Sequence, residues 1–224
     1  MSLRDLVRKV AYSTNLHSFL VGKVNHRDGT WWDAQLAGPL SAYLGGTMSI
    51  DMRNSATANL IRHHASPNPV VLDIGCAGGS LAQALGRFEA YFGIDISEVA
   101  IRHAQQSVRD RQSHFEAADL CKYEIPPHRR FDAIVFNEVL YYLDVPLARE
   151  QVSRYAGALR ADGIIVVSMK DDPKSQAILQ ELAVHFRWVE NVLIQTSVDG
   201  PTYAIQKSRE RPAYLIAALG VRPS

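Results

Sequence analysis

The densest run of residues able to do chemistry is Val70-Val71-Leu72-Asp73-Ile74-Gly75-Cys76-Ala77-Gly78-Gly79-Ser80. An apolar run ends in an acid, a glycine-rich turn follows, and a small polar residue opens the next stretch. Glycines let the main chain turn tightly and let a ligand approach the backbone. A helix start behind such a turn offers unpaired N–H groups. A second acid, Asp95, lies 20 residues after Gly75. An acid there can accept both hydroxyls of a ribose. Its other reading is a cap for the helix starting near Ser97, a role that Ser97 can fill itself.

The ligand is not read as a dinucleotide. That fingerprint needs G-x-G-x-x-G, whereas Gly75 is followed by Cys76, Ala77, Gly78 and Gly79. Asp73 would also repel a pyrophosphate, and it suits a cationic ligand better.

Around these residues, short apolar runs at 70–74, 91–96, 131–136 and 163–168 are rich in β-branched and aromatic side chains. Each is too short for a helix and fits a strand buried on both faces. Helical patterns are expected at 80–85, 98–109, 146–159 and 174–186, with Ser97 and Asp144 as N-caps and Pro146 at a first turn. Strands alternating with helices predict an α/β fold with a largely parallel sheet. Runs at 188–196 and 202–207, joined by Ser197-Val198-Asp199-Gly200-Pro201, read as a closing antiparallel pair. A helix is expected from about 49 to 64, with Pro67 and Pro69 marking the junction to the first strand.

In this order the motifs resemble the class I S-adenosylmethionine-dependent methyltransferases. The family's first motif, D-x-G-x-G-x-G, is matched by Asp73 through Gly79 with Ala77 for the middle glycine. The resemblance continues through Gly93-Ile94-Asp95-Ile96-Ser97, Ala118-Asp119-Leu120, and Phe131 through Leu140. It ends in the segment Leu159 through Ser168, and so spans about 70–170. It implies a three-layer Rossmann-like sheet, mostly parallel, that ends in an antiparallel pair. A helical N-terminal lid (1–66) would lie over the cofactor domain (67–224). It implies S-adenosylmethionine as cofactor, with Asp95 on the ribose and Asp119 near the adenine amino group. Asp73, Gly75, Cys76, Ala77, Gly78, Ile96, Leu120 and Asn137 complete the cofactor site. Arg53 suits the cofactor carboxylate, the alternative being a plain helix-surface arginine.

Asn137-Glu138-Val139-Leu140-Tyr141-Tyr142-Leu143 is similar to the small-molecule branch, including nodulation-type N-methyltransferases and sugar or natural-product enzymes. It lacks the Asn/Asp-Pro-Pro-Tyr/Phe signature of enzymes that methylate exocyclic amines. Glu138 and Tyr142 are the candidate catalytic residues. Glu138 could be a base or could bond the aminopropyl end of the cofactor. Tyr141 and Tyr142 could line the acceptor pocket or pack the lid, as could Trp31-Trp32. Lys170, Asp171 and Asp172 read as solvated before catalytic, and His63-His64 as a helix cap. Cys76 reads as a packed thiol. No metal is expected, because Asn137-Glu138 is a poor partner for Asp171-Asp172.

Composition sets the limits. The 224 residues carry 24 Lys and Arg against 23 Asp and Glu, a net +1. That speaks against nucleic acid as the usual partner, although the first 66 residues alone reach +3. Two cysteines are too few for a disulfide framework, and neither a membrane span nor a secretory signal is expected. The reading is a cytoplasmic enzyme that methylates O or N of a small molecule, a saccharide or secondary metabolite. The alternatives are a tRNA or protein methyltransferase and a non-catalytic cofactor-binding module.

Overall fold

The computed structural model describes residues 28–38, 40, 41, 44, 48–195 and 213–221. Its centre is a seven-stranded sheet of order β3-β2-β1-β4-β5-β7-β6. The strands are β1 (Val70–Ile74), β2 (Ala90–Asp95), β3 (Ser113–Ala117), β4 (Phe131–Asn137), β5 (Leu159–Lys170), β6 (Arg187–Gln195) and β7 (Ala213–Gly220). Strands β1 to β5 run parallel, whereas β7 is antiparallel to both β5 and β6. The order reverses between β1 and β4, and ligands in open α/β sheets bind outside the strand C-termini at such a point.

The helices are α1 (Gly29–Leu36), α2 (Met48–His64), α3 (Ser80–Leu85), α4 (Glu98–Ser107), α5 (Val145–Ala156) and α6 (Pro173–His185). The expected caps are in place. Ser97 Oγ accepts from Ala100 N at 3.2 Å, and Asp144 Oδ1 accepts from Leu147 N at 2.9 Å. Asp172 opens α6 in the same way, through Ser175 N at 2.8 Å.

Alternation along the strands divides the core between the two faces of the sheet. Leu72, Ile74, Ile134, Phe136, Ile165 and Val167 meet Val152, Ile178 and Leu182 from α5 and α6. Val71, Tyr91, Val135, Val166 and Ile216 meet Ile61 of α2 with Leu81 and Leu85 of α3. Each large apolar side chain buried in this way contributes about 1.5–3 kcal/mol. β1 is buried along its whole length, so Asp73 is an acid in an apolar strand.

Several boundaries differ from expectation: α4 ends at Ser107 instead of 109, and β5 begins at Leu159 instead of 163. Helix α5 stops at Ala156, because β5 begins at Leu159 and pairs with Phe131. The expected turn at 197–201 and strand at 202–207 lie outside the described residues. The strand that pairs with β6 is Ala213–Gly220. Its sequence, AYLIAALG, is rich in helix formers, but β7 sits between β5 and β6 and is hydrogen-bonded on both sides. Tertiary pairing overrides local preference there. No helix among the described residues is long and apolar enough to cross a membrane.

Candidate active site

The turn after β1 holds three residues in left-handed backbone: Gly75 (φ +82°), Ala77 (φ +44°) and Gly79 (φ +81°). A Cβ on Gly75 would collide with Val139 Cγ1 and come within 2.7 Å of the Asn137 carbonyl oxygen. The amides of Gly75 and Cys76 donate to the Ile94 carbonyl, and that of Gly79 donates to Cys76 O. The Ala77 amide donates to Asp95 Oδ2 at 3.0 Å. These four N–H groups are therefore spent within the protein. That disfavours an anion cradle, in agreement with the failed pyrophosphate spacing.

Asp95 is partly exposed at the end of β2. Its Oδ1 accepts from Ser97 N at 3.0 Å, so each carboxylate oxygen holds one backbone donor and keeps lone-pair capacity for a ligand hydroxyl. Burial raises its pKa, opposed by the Ser97 and Ala77 amides and reinforced by Asp33. Asp119 comes to the same edge because Ala118 N donates to Asp95 O at 2.8 Å. The Asp119 Oδ1 atom accepts from Cys121 N at 2.9 Å, and the Leu120 carbonyl is held by Tyr155 Oη at 2.8 Å.

Asp73 is fully buried. Tyr91 Oη donates to its Oδ2 at 2.5 Å, while Oδ1 is buried without a hydrogen-bond partner. Burial pushes the Asp73 pKa up to about 7, against the pull of Tyr91 and the Asn137 amide and with a contribution from Asp95. Asn137 Nδ2 in turn donates to Asn54 Oδ1 on α2 at 3.3 Å. Cys76 is buried, and burial together with Asp95 and Asp73 holds its thiol well above the ordinary range. It is a packed thiol, not a nucleophile.

Glu138 adopts φ +58°, a strained conformation for a side-chain-bearing residue. Its Oε1 meets Arg53 Nη1 at 3.2 Å and accepts from Ser168 Oγ at 3.1 Å. Its Oε2 accepts from Tyr141 Oη at 3.1 Å. Arg53 is therefore no surface residue: it is buried, with its guanidinium 4.5 Å from the centre of the Tyr214 ring. Burial opposes its charge, but Glu138, with Tyr214 and Tyr141, outweighs that and raises its pKa. Arg53 Nε is buried without a partner.

The N-terminal segment reaches the same edge. Asp33 Oδ1 on α1 accepts from Ser97 Oγ at 2.5 Å and from Val99 N at 3.0 Å. Trp32 packs edge-on to Tyr142, with ring centres 5.3 Å apart, and Tyr142 contacts Tyr141. The remaining candidates are occupied elsewhere. Asp171 accepts from Gln176, Asp172 caps α6, and His64 pairs with Glu190 at 2.6 Å.

Sequence reasoning missed Asp33, Asn54, Tyr91, Ser168 and Tyr214. Only Ser168, at the end of an expected strand, carried a positional signal. Among the described residues no group of three His, Cys, Asp or Glu could hold a metal ion.

A parallel sheet with this strand order, helices on both faces and acids at its C-terminal crevice is the Rossmann-like methyltransferase fold. An N-methyltransferase NodS from Bradyrhizobium japonicum WM9, crystallised with S-adenosylhomocysteine, shares it at TM-score 0.63 and 20% identity, over 91% of this chain and 97% of that one. Magnesium protoporphyrin IX methyltransferase from Synechocystis PCC 6803, with bound S-adenosylmethionine, aligns at TM-score 0.53 and 18% identity, over 98% of each chain. Residues 71–163 match the family described as a methyltransferase domain.

Among curated relatives, ubiquinone biosynthesis O-methyltransferase of Actinobacillus pleuropneumoniae is 29% identical over 165 residues, 69% of this chain and 65% of that protein. Nodulation protein S of Azorhizobium caulinodans is 30% identical over 95 residues, 42% of this chain and 45% of that protein. The chain spans less than two thirds of the length of these curated relatives.

The residues present suit this cofactor. Buried Asp73 Oδ1 and Arg53 Nε are unpaired groups of opposite sign, matching the opposite charges of an amino-acid end. Asp95 keeps acceptor capacity for a ribose.

Proposed function

We propose that the protein transfers a methyl group from S-adenosylmethionine to O or N of a small molecule. The observation that carries this reading is the Asp95 carboxylate, tied to Ala77 N of the glycine turn and to Ser97 N, beside Asp73 with its unpaired oxygen. The cofactor supplies an activated methyl on a sulfonium.

In this reading Asp95 accepts the ribose hydroxyls. Ile96, Asp119 and Leu120 flank the adenine. Gly75, Cys76, Ala77 and Gly78 let the backbone approach the ligand, and Asn137 braces the floor against Asn54. Asp73 answers positive charge, and Arg53 engages the carboxylate through the donors that Glu138 leaves free. Glu138, with both oxygens engaged, positions Arg53 instead of serving as a base. Alignment of the acceptor in line with the methyl then supplies most of the rate enhancement.

Helix α1 acts as a lid, with Asp33 as its polar anchor. Trp32 and Tyr142 form a wall for a ring-bearing acceptor. That a ubiquinone biosynthesis O-methyltransferase and a nodulation protein S are among the relatives supports the acceptor class. We also read the protein as cytoplasmic, since Cys76 and Cys121 are both free thiols.

The test is formation of S-adenosylhomocysteine from S-adenosylmethionine with amino-sugar and phenolic acceptors. Acceptor-dependent turnover is expected. Cofactor binding without turnover across both sets, with methylation of tRNA or protein instead, would overturn the acceptor class.

A further inference from the structure

The buried pair Tyr91–Asp73 has no role in the reading above beyond the charge on Asp73. Both side chains are fully buried, and their oxygens stand 2.5 Å apart. Tyr91 is a member of the α2–α3 face core, its ring tilted against Phe88 and Phe115 at 5.4 and 5.9 Å between centres. A phenylalanine would satisfy that packing. The hydroxyl donates to Asp73 and meets the Ala82 amide of α3, and a buried donor left unpaired is costly.

Tyr91 holds one oxygen of Asp73, and the other oxygen is the unpaired atom. A fixed carboxylate with one oxygen clamped and one unsatisfied is an acceptor waiting for a cation.

We propose that Tyr91 is a positioning residue for cofactor binding, clamping Asp73 Oδ2 so that Oδ1 stays charged and oriented toward the cationic amino-acid end of the ligand. This rests on the S-adenosylmethionine reading.

Other groups around Asp73 do not replace it. From β2, Asp95 repels its charge, and from the glycine turn Cys76 is a neutral thiol. From β4, the Asn137 amide acts in the same direction as Tyr91 but ranks below it, and Arg53 of α2 pairs with Glu138. Hydrogen bonding by Tyr91 lowers the proton affinity of Asp73, so its removal must raise it. With a donor to a charged group worth a factor of about 10 to 100, most Asp73 in a Tyr91→Phe variant is protonated at neutral pH.

The experiment is calorimetric titration with S-adenosylmethionine, without acceptor, between pH 6 and 8.5. Four proteins are compared: wild type, Tyr91→Phe, Asp73→Asn and the double variant. Tyr91→Phe is expected to bind about tenfold more weakly at pH 7, the gap narrowing to about twofold by pH 8.5. Asp73→Asn is expected to bind weakly at every pH, and adding Tyr91→Phe to it should cost nothing more.

A purely structural Tyr91 would give a loss that is independent of pH and equal in both backgrounds. That result overturns the proposal, as does wild-type affinity in Tyr91→Phe. Failure of the wild type to bind at all overturns the cofactor reading itself, and this proposal with it.

Discussion

An ionised acid buried in the central strand is a cost the apo fold carries, and Asp73→Asn should release it. In the folded protein burial raises the Asp73 pKa from 3.8 to about 7. Over that interval the native state binds more protons than the unfolded chain, so stability falls as pH rises from about 4 and levels off above about 7. The difference is worth at most about 4 kcal/mol. Asp73→Asn lacks the titration. It should match the wild type near pH 4 and exceed it increasingly toward pH 8. A chain of this length gains about 2–4 °C in Tm per kcal/mol, so the ceiling is on the order of 8–16 °C. Thermal unfolding of both proteins without ligand, at pH 4.5, 6, 7 and 8, reads the difference directly. Parallel Tm profiles would refute the reasoning, and so would a wild type whose relative stability rises with pH over this range.

Two further outcomes follow from the same geometry. Glu138→Gln should raise the cofactor KM by freeing Arg53, while kcat stays within about threefold. A fall in kcat of about 100-fold or more with unchanged KM would identify Glu138 as a general base instead. Asp33→Ala removes the acceptor for Ser97 Oγ and Val99 N. It should cost about 1–2 kcal/mol in thermal unfolding and weaken cofactor affinity; an unchanged Tm and affinity would dismiss the anchor.

Local signals and distant contacts divide what the residues foretold from what they did not. β1 and α3 begin and end where the apolar run, the glycine turn and the next amphipathic stretch place them. Asp95 and Asp119 share an edge because a parallel sheet delivers every strand end to the same side. Strand β7 was illegible, since Ala-Tyr-Leu-Ile-Ala-Ala-Leu favours a helix until β5 and β6 supply partners on both sides.

The candidate site's geometry was readable where one element carries the residue, and opaque where a contact needs two distant segments. Asp33 meets Ser97 across 64 residues, and Arg53 meets Glu138 across 85. Nothing in either local sequence announces the pairing. Tyr91 looked like an ordinary strand aromatic because the direction of its hydroxyl depends on the register between β1 and β2. The left-handed backbone of Glu138 has no sequence signal either, since a glycine would ordinarily stand there.

Calorimetric titration of the wild type and of Asp95→Ala with S-adenosylhomocysteine tests the central claim most directly. The account predicts saturable binding by the wild type and a loss of at least about tenfold in Asp95→Ala, the size of a hydrogen-bonded charge removed from a ribose. No heat from the wild type, or equal affinity in the two proteins, would contradict it.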